Sequence, residues 1–177
     1  MTILYVRDDR ARALNQARLN SANLTRALAE HVFGTFRMVD RILLQLKQDH
    51  EKGPGDFDAN MKLRDVPLIE GLLTHVFLVG SDGYLVASNL GRITPPIFLG
   101  DRGYAQAHAS SDTNGMLISQ PNLSRYTGRW VIPVTRRLNR SDGSYGGLIG
   151  VSLDPDLMSR FFRELDVGQH GGVLVVR

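Results

Sequence analysis

The sequence contains no cysteine. Thiol catalysis, thiolate zinc sites and disulfides are excluded together, although the compartment is not, because cysteine-free chains fold on either side of a membrane. There is no run of about 18 apolar residues, so no segment reads as a bilayer-spanning helix. The opening Met1-Thr2-Ile3-Leu4-Tyr5-Val6, followed by Arg7, fits the trailing edge of a membrane helix as readily as an ordinary start or vector-derived residues. No signal peptide is visible. Aromatic residues make up 7%, with one tryptophan, and the net charge is only +3. The denser basic stretches, Arg7 to Arg12 and Arg136 to Arg140, carry no interleaved aromatics on which bases could stack, so no nucleic-acid partner is expected.

Motifs for chemistry are also missing. His31, His50, His75 and His170 have no metal-ligand spacing such as His-x-x-x-His, and no zinc site is expected. No Gly-x-Ser-x-Gly elbow is present, and no Gly-rich loop opens a helix as phosphate binding would need. The chain is therefore expected to be no enzyme and to hold no cofactor, any catalysis residing outside it.

What remains is a chain of 177 residues, 42% apolar and 22% charged, enough for one globular domain with its own core and not obviously for two. From Asp8 to Gln48 there is no proline, and the one glycine is Gly34. Leu14, Ala17, Leu24, Leu28, Val32, Phe36, Val39, Leu43 and Leu46 recur mostly three or four apart, the stripe of a helix. Such a helix is a rod of roughly 60 Å, weakly apolar at Asn15 to Asn23 and rich from Val32 to Leu46. A stalk that becomes a core helix is expected, its exposed half paired in parallel with a second copy. Gly53-Pro54-Gly55 should end it, and a helical patch from Phe57 to Leu73 should follow.

The pattern then turns to strands. Thr74 to Val79 and Tyr84 to Ser88 flank the turn signal Ser81-Asp82-Gly83. Asp101 to Ser110 can form a short helix with Tyr104 and His108 on one face, and Met116 to Ser119 reads as a strand. Arg129 to Leu138 alternates with Trp130, Ile132, Val134 and Arg136 on one face, and Tyr145 to Leu153 returns after Ser141-Asp142-Gly143-Ser144. Gly146, Gly147 and Gly150 imply something packed closely on that strand. Asp154 and Pro155 read as the cap and first position of a helix carrying Leu157, Phe161, Phe162 and Leu165. Val173 to Val176 reads as a last strand. Antiparallel strands with inserted helices give an α+β class, with a stalk and core helix over 1–50 and a lobe over 51–177 that form one structural unit.

Several of these segments, in this order, resemble Cache sensor domains. They are Leu78-Val79-Gly80-Ser81-Asp82-Gly83, Asp101-Arg102-Gly103-Tyr104, Gly115-Met116-Leu117-Ile118-Ser119-Gln120-Pro121, Thr135-Arg136-Arg137, and Asp142-Gly143-Ser144-Tyr145-Gly146-Gly147 with Val151-Ser152-Leu153-Asp154. The variety most similar precedes GGDEF-type diguanylate cyclases and some histidine kinases. The resemblance implies a PAS-like antiparallel sheet of about five strands hung on the long helix. It also implies a periplasmic or extracellular position in a protein anchored in the inner membrane, and a ligand pocket over one sheet face. Such proteins often carry two stacked lobes, of which this would be the membrane-distal one, a second beginning near Val173.

In such a lobe Arg102 and Tyr104 lie on a segment crossing the sheet, with Trp130 and Arg136 expected opposite. Arginine forks suit a carboxylate and an indole can wall off an apolar moiety, so a small carboxylate or amino-acid-like ligand is expected. The blander reading pairs Arg102 with Asp101 or Asp154 and puts Trp130 in the core. His108 is a further ligand candidate that reads as easily as structural, and Asp154 one that reads more readily as a helix cap. The competing function is a ligand-free dimerisation spacer in the same kind of receptor.

Overall fold

The computed structural model describes residues 2–52, 73–91, 93–111 and 115–156. The first element, α1 (Thr2–Lys52), is one continuous helix. It exceeds the expected span at both ends because no proline and no glycine other than Gly34 interrupts it before Gly53. The chain divides into two compact units, Met1–Val39 and Asp40–Arg177.

The described part of the first unit is helix alone. Its polar stretch is satisfied along its own axis: Gln16 donates to Asn20 Oδ1 at 3.1 Å, and Thr25 Oγ1 to the Ser21 carbonyl at 2.8 Å. Leu28 and Val39 are buried, whereas Leu14, Leu19, Phe33 and Met38 are exposed. Among the described residues no helix is long and apolar enough to cross a membrane.

The second unit is built on an antiparallel sheet of β1 (Leu73–Gly80), β2 (Leu85–Ser88), β3 (Leu117–Ile118), β4 (Asn122–Leu123), β5 (Trp130–Asn139) and β6 (Tyr145–Leu153), with α2 (Gly103–Ser110) between β2 and β3. The order is β2-β1-β6-β5-β3, and β4 also pairs with β5. Apart from Val173–Val176 the expected strands are present, and the class is α+β and PAS-like. The additional strand, β4, is too short to show any periodicity after Pro121. On the opposite margin, β2 is bonded outward to an irregular segment: the Leu85 amide donates to the Ile97 carbonyl at 2.9 Å and the Leu99 amide to the Gly83 carbonyl at 2.8 Å.

Register assigns the two faces, because directly opposed antiparallel residues point the same way. Val76, Leu78, Ile149, Val151, Val134, Arg136 and Leu138 share one face; His75, Phe77, Leu148, Gly150, Ser152, Pro133, Thr135 and Arg137 share the other. The end of α1 is bonded to β5. Asp40 accepts from Arg136 Nε at 2.7 Å, Lys47 Nζ donates to the Arg137 carbonyl at 2.7 Å, and Glu51 Oε1 accepts from the Asn139 amide at 2.8 Å. Leu43 and Leu46 are buried on this same stretch. These bonds explain why the unit boundary lies before Asp40.

On the other face, Phe77, Val79, Leu85, Leu99, Tyr104, Ala105 and Leu148 form a buried cluster that seats α2. Gly150 lets this happen. A Cβ there would stand 2.5 Å from Phe77 Cζ and 2.9 Å from Thr135 Cγ2. Gly147 has φ of +127° and lies so near β1 that a Cβ would meet the Val79 carbonyl oxygen. The close packing expected from these glycines is thus packing of neighbouring strands and their side chains. Asp154 Oδ1 accepts from the Asp156 amide at 2.8 Å, the bond of a helix cap. The expected helices over 57–73 (apart from Leu73, which opens β1) and beyond Asp156, the strand Val173–Val176 and the second lobe fall outside the described residues.

Candidate ligand-binding pocket

Between α2, the turn after β4 and the open end of the second face lies a pocket lined by His75, Phe77, Leu85, Leu99, Arg102, Tyr104, Asn122, Ser124, Arg125, Tyr126, Val131, Pro133 and Ser152. Strand alternation delivers the floor: His75 and Ser152 are direct cross-strand partners, and Val131 and Pro133 follow on β5. Arg102 stands at the N-cap of α2 with extended backbone and makes no side-chain cap there; the first turn holds no acidic residue. The Arg102 carbonyl accepts from the Ala105 and Gln106 amides at 2.9 and 3.0 Å, and no side chain caps the start of the helix.

The polar groups are arranged unequally. Arg125 is committed: Nη1 and Nη2 hold Asp101 Oδ1 and Oδ2 at 2.6 and 2.7 Å, and Nη1 also reaches the Phe98 carbonyl at 2.6 Å. This fork holds the Asp101 carboxyl below its ordinary range. Arg102 is not fully committed. Its Nη2 donates to the Leu123 carbonyl at 2.9 Å, but its Nε is buried with no hydrogen-bond partner. A buried donor without an acceptor is costly, and a ligand oxygen would relieve it.

Tyr104 is buried beside it, and desolvation raises its hydroxyl to about 12, so it remains a neutral phenol. His75 is 4% exposed and stacked at a tilt between Phe77 and Tyr126, with ring centres 5.4 and 6.0 Å away. Burial lowers its pKa to about 4, so the imidazole is neutral at pH 7. The enclosed space measures about 20 Å³, room for about one water. Admitting a metabolite therefore requires Tyr104, Arg102 or the loop around Arg125 to move.

The structure brings Arg102 and Tyr104 to this pocket and takes the other expected residues elsewhere. Arg136 is on the opposite sheet face, its Nε and Nη2 both 2.7 Å from Asp40 Oδ1. Trp130 shares that parity, is 63% exposed, and lies beside an open groove with Pro121, Asp154 and Pro155. Neither joins Arg102, because alternation along β5 turns odd-numbered residues toward α2. His108 is buried but lies deeper along α2, its Nε2 2.9 Å from Thr135 Oγ1. Asp154 accepts from the Asp156 amide, the bond of a helix cap, and meets Arg129 at 3.3 Å. Sequence reading missed His75, Arg125, Tyr126 and Ser152. For His75 and Ser152 a signal existed, since both share strand parity with buried Phe77 and Gly150. Arg125 sits in a turn, where no periodicity points inward.

No family model matches the chain, and no curated protein matches it. Solved structures do. The extracellular domain of rpHK1S-Z16, a protein assigned as a histidine kinase, is 30% identical with a TM-score of 0.75, over 82% of this chain and 61% of that one. The ligand-binding domain of the Pseudomonas fluorescens chemoreceptor CtaA, in complex with L-isoleucine, is 15% identical with a TM-score of 0.66, over 80% of this chain and 58% of that one. That of the Campylobacter jejuni chemoreceptor Tlp3, in complex with 4-methylisoleucine, gives 14% and 0.62, over 80% and 59%. The chain thus spans about three-fifths of the length of these three solved structures.

Proposed function

We propose that this chain, which has the fold of a Cache-type sensor domain, is the extracellular or periplasmic ligand-binding lobe of a membrane-anchored signal-transduction protein. The observation that carries the reading is the buried, unpartnered Nε of Arg102 in a pocket that also presents a neutral phenol, a neutral imidazole and an uncapped helix start. This set favours a small molecule bearing a carboxylate, since a guanidinium edge and helix amides are acceptor-seeking groups. The rpHK1S-Z16 neighbour supports an output of the histidine-kinase kind, and a diguanylate cyclase is the other output in keeping with the resemblance. Catalysis lies in that output, and the sensor lobe contributes binding alone.

The long helix pairs with a second copy in the intact receptor. Exposed Leu14, Leu19, Phe33 and Met38 support this, because an isolated helix gains little from leaving large apolar side chains in water. Cysteine pairs placed along 14–38 should cross-link in membranes, and their failure to do so would remove the dimer from the proposal.

A second reading, a ligand-free spacer, is favoured by one observation: side chains leave only about 20 Å³ in the pocket. Calorimetry separates the two after a thermal-shift screen of carboxylates, amino acids and amines. On the receptor reading a carboxylate raises the Tm, and Arg102→Ala weakens it by about ten- to a hundredfold. On the spacer reading no metabolite raises the Tm and Arg102→Ala changes stability alone.

A further inference from the structure

The floor of the pocket has a hydrogen-bond polarity that can be worked out proton by proton. Thr74 Oγ1 donates to the Ser152 carbonyl at 3.0 Å, which commits its one hydroxyl proton. Toward His75 Nδ1, 3.3 Å away, Thr74 can then only accept, so Nδ1 carries the imidazole hydrogen. Because the ring is neutral, Nε2 has a lone pair. It faces Ser152 Oγ at 3.4 Å, and that hydroxyl must donate to it. Ser152 Oγ is left offering lone pairs to whatever enters the pocket: its floor accepts a proton and does not give one.

The charge of the walls is equally definite. Among the described residues the lining includes two arginines and no carboxylate. The adjacent Asp101 has both oxygens engaged by Arg125. With Arg125 neutralised by Asp101 and Arg102 by the ligand's own carboxylate, a ligand ammonium would find only neutral acceptors and leave one positive charge without a counter-charge. A hydroxyl makes the same bond to Ser152 without that charge.

From this polarity we infer that the ligand is a 2-hydroxycarboxylate rather than an amino acid, its carboxylate on Arg102 and its hydroxyl donating to Ser152 Oγ. The inference rests on the reading of this pocket as a carboxylate site. It sets the chain apart from the structural neighbours solved with L-isoleucine and 4-methylisoleucine.

The test is calorimetry on the 177-residue chain with two matched sets: L-lactate, L-alanine and propionate, then 2-hydroxyisocaproate, L-leucine and 4-methylvalerate. The hydroxy acid should bind at least about tenfold more tightly than the amino acid of the same skeleton. Ser152→Ala should bring the hydroxy acid down to the level of the plain acid. Ser152→Asp, which adds the missing negative charge, should turn the preference toward the amino acid. Equal or tighter binding of L-alanine or L-leucine by the wild type overturns the inference while leaving the carboxylate site standing. If no member of either set binds, or if binding is indifferent to Arg102→Ala, the site itself fails and the inference with it. The wild-type comparison decides the matter even if a Ser152 variant does not fold.

Discussion

Acidification should weaken this fold through His75, by an amount the burial of the ring sets. The ordinary imidazole pKa of 6.5 falls to about 4 in the native lobe because the ring loses its water between Phe77, Tyr126 and Ser152. The unfolded chain takes up the proton near the ordinary value and the folded chain resists it. The contribution is therefore fully present above pH 6.5, is lost as the pH falls toward 4, and is constant below that. Its full extent is about 3 kcal/mol. His50 and His108 are lowered as well, both chiefly by burial, and act in the same direction. The informative quantity is thus the difference between wild type and His75→Gln. Denaturant unfolding at pH 7 and at pH 4 should show wild type losing about 3 kcal/mol more than the variant across that interval. Parallel losses in the two proteins would refute the argument, because His75 would then titrate alike in the folded and unfolded chains.

Other expectations concern packing, pairing and capping. Gly150→Ala should destabilise by about 1–3 kcal/mol in denaturant titration, since its methyl would press on the Phe77 ring. Arg136→Met should lower stability by about 1–3 kcal/mol by leaving Asp40 half-buried without its partner. It should leave carboxylate affinity unchanged, and a loss of affinity in calorimetry would mean that Arg136 reaches the pocket. Asp154→Ala should cost about 1 kcal/mol through the lost bond to the Asp156 amide, measured in the same titrations.

How far the sequence announces the molecule depends on the range of the interaction involved. The strands of the sheet are legible because burial on alternate positions and Asp-Gly turns are local signals, as in Tyr145–Leu153, where both bounds coincide. The long helix is legible for the same reason, and only its ends exceed the apolar stripe that marks it. The pocket is half legible. Arg102 and Tyr104 stand out because their helix is short and carries few alternatives. On β5, however, Trp130 and Arg136 attract attention through their chemistry while alternation turns them away from α2. A one-residue difference in parity exchanges faces, and the face toward α2 is decided by β6 and β1, far away in sequence. Asp101 and Arg125 meet 24 positions apart, with α2, β3 and β4 between them, a pairing that no periodicity can announce.

The margins of the sheet have a consequence for how the protein behaves when crowded. On one side β2 is four residues long, and its Leu85 amide and the carbonyl of Gly83 just before it are already bonded to Ile97 and Leu99. On the other side the edge of β5 is covered piecewise by β3 and β4, two residues each. An incoming extended chain needs an unbroken row of vacant donors and acceptors to add itself to a sheet. Neither margin offers one beyond a few residues, so this domain should remain dispersed at concentrations where an open six-stranded sheet would grow by stacking strand on strand.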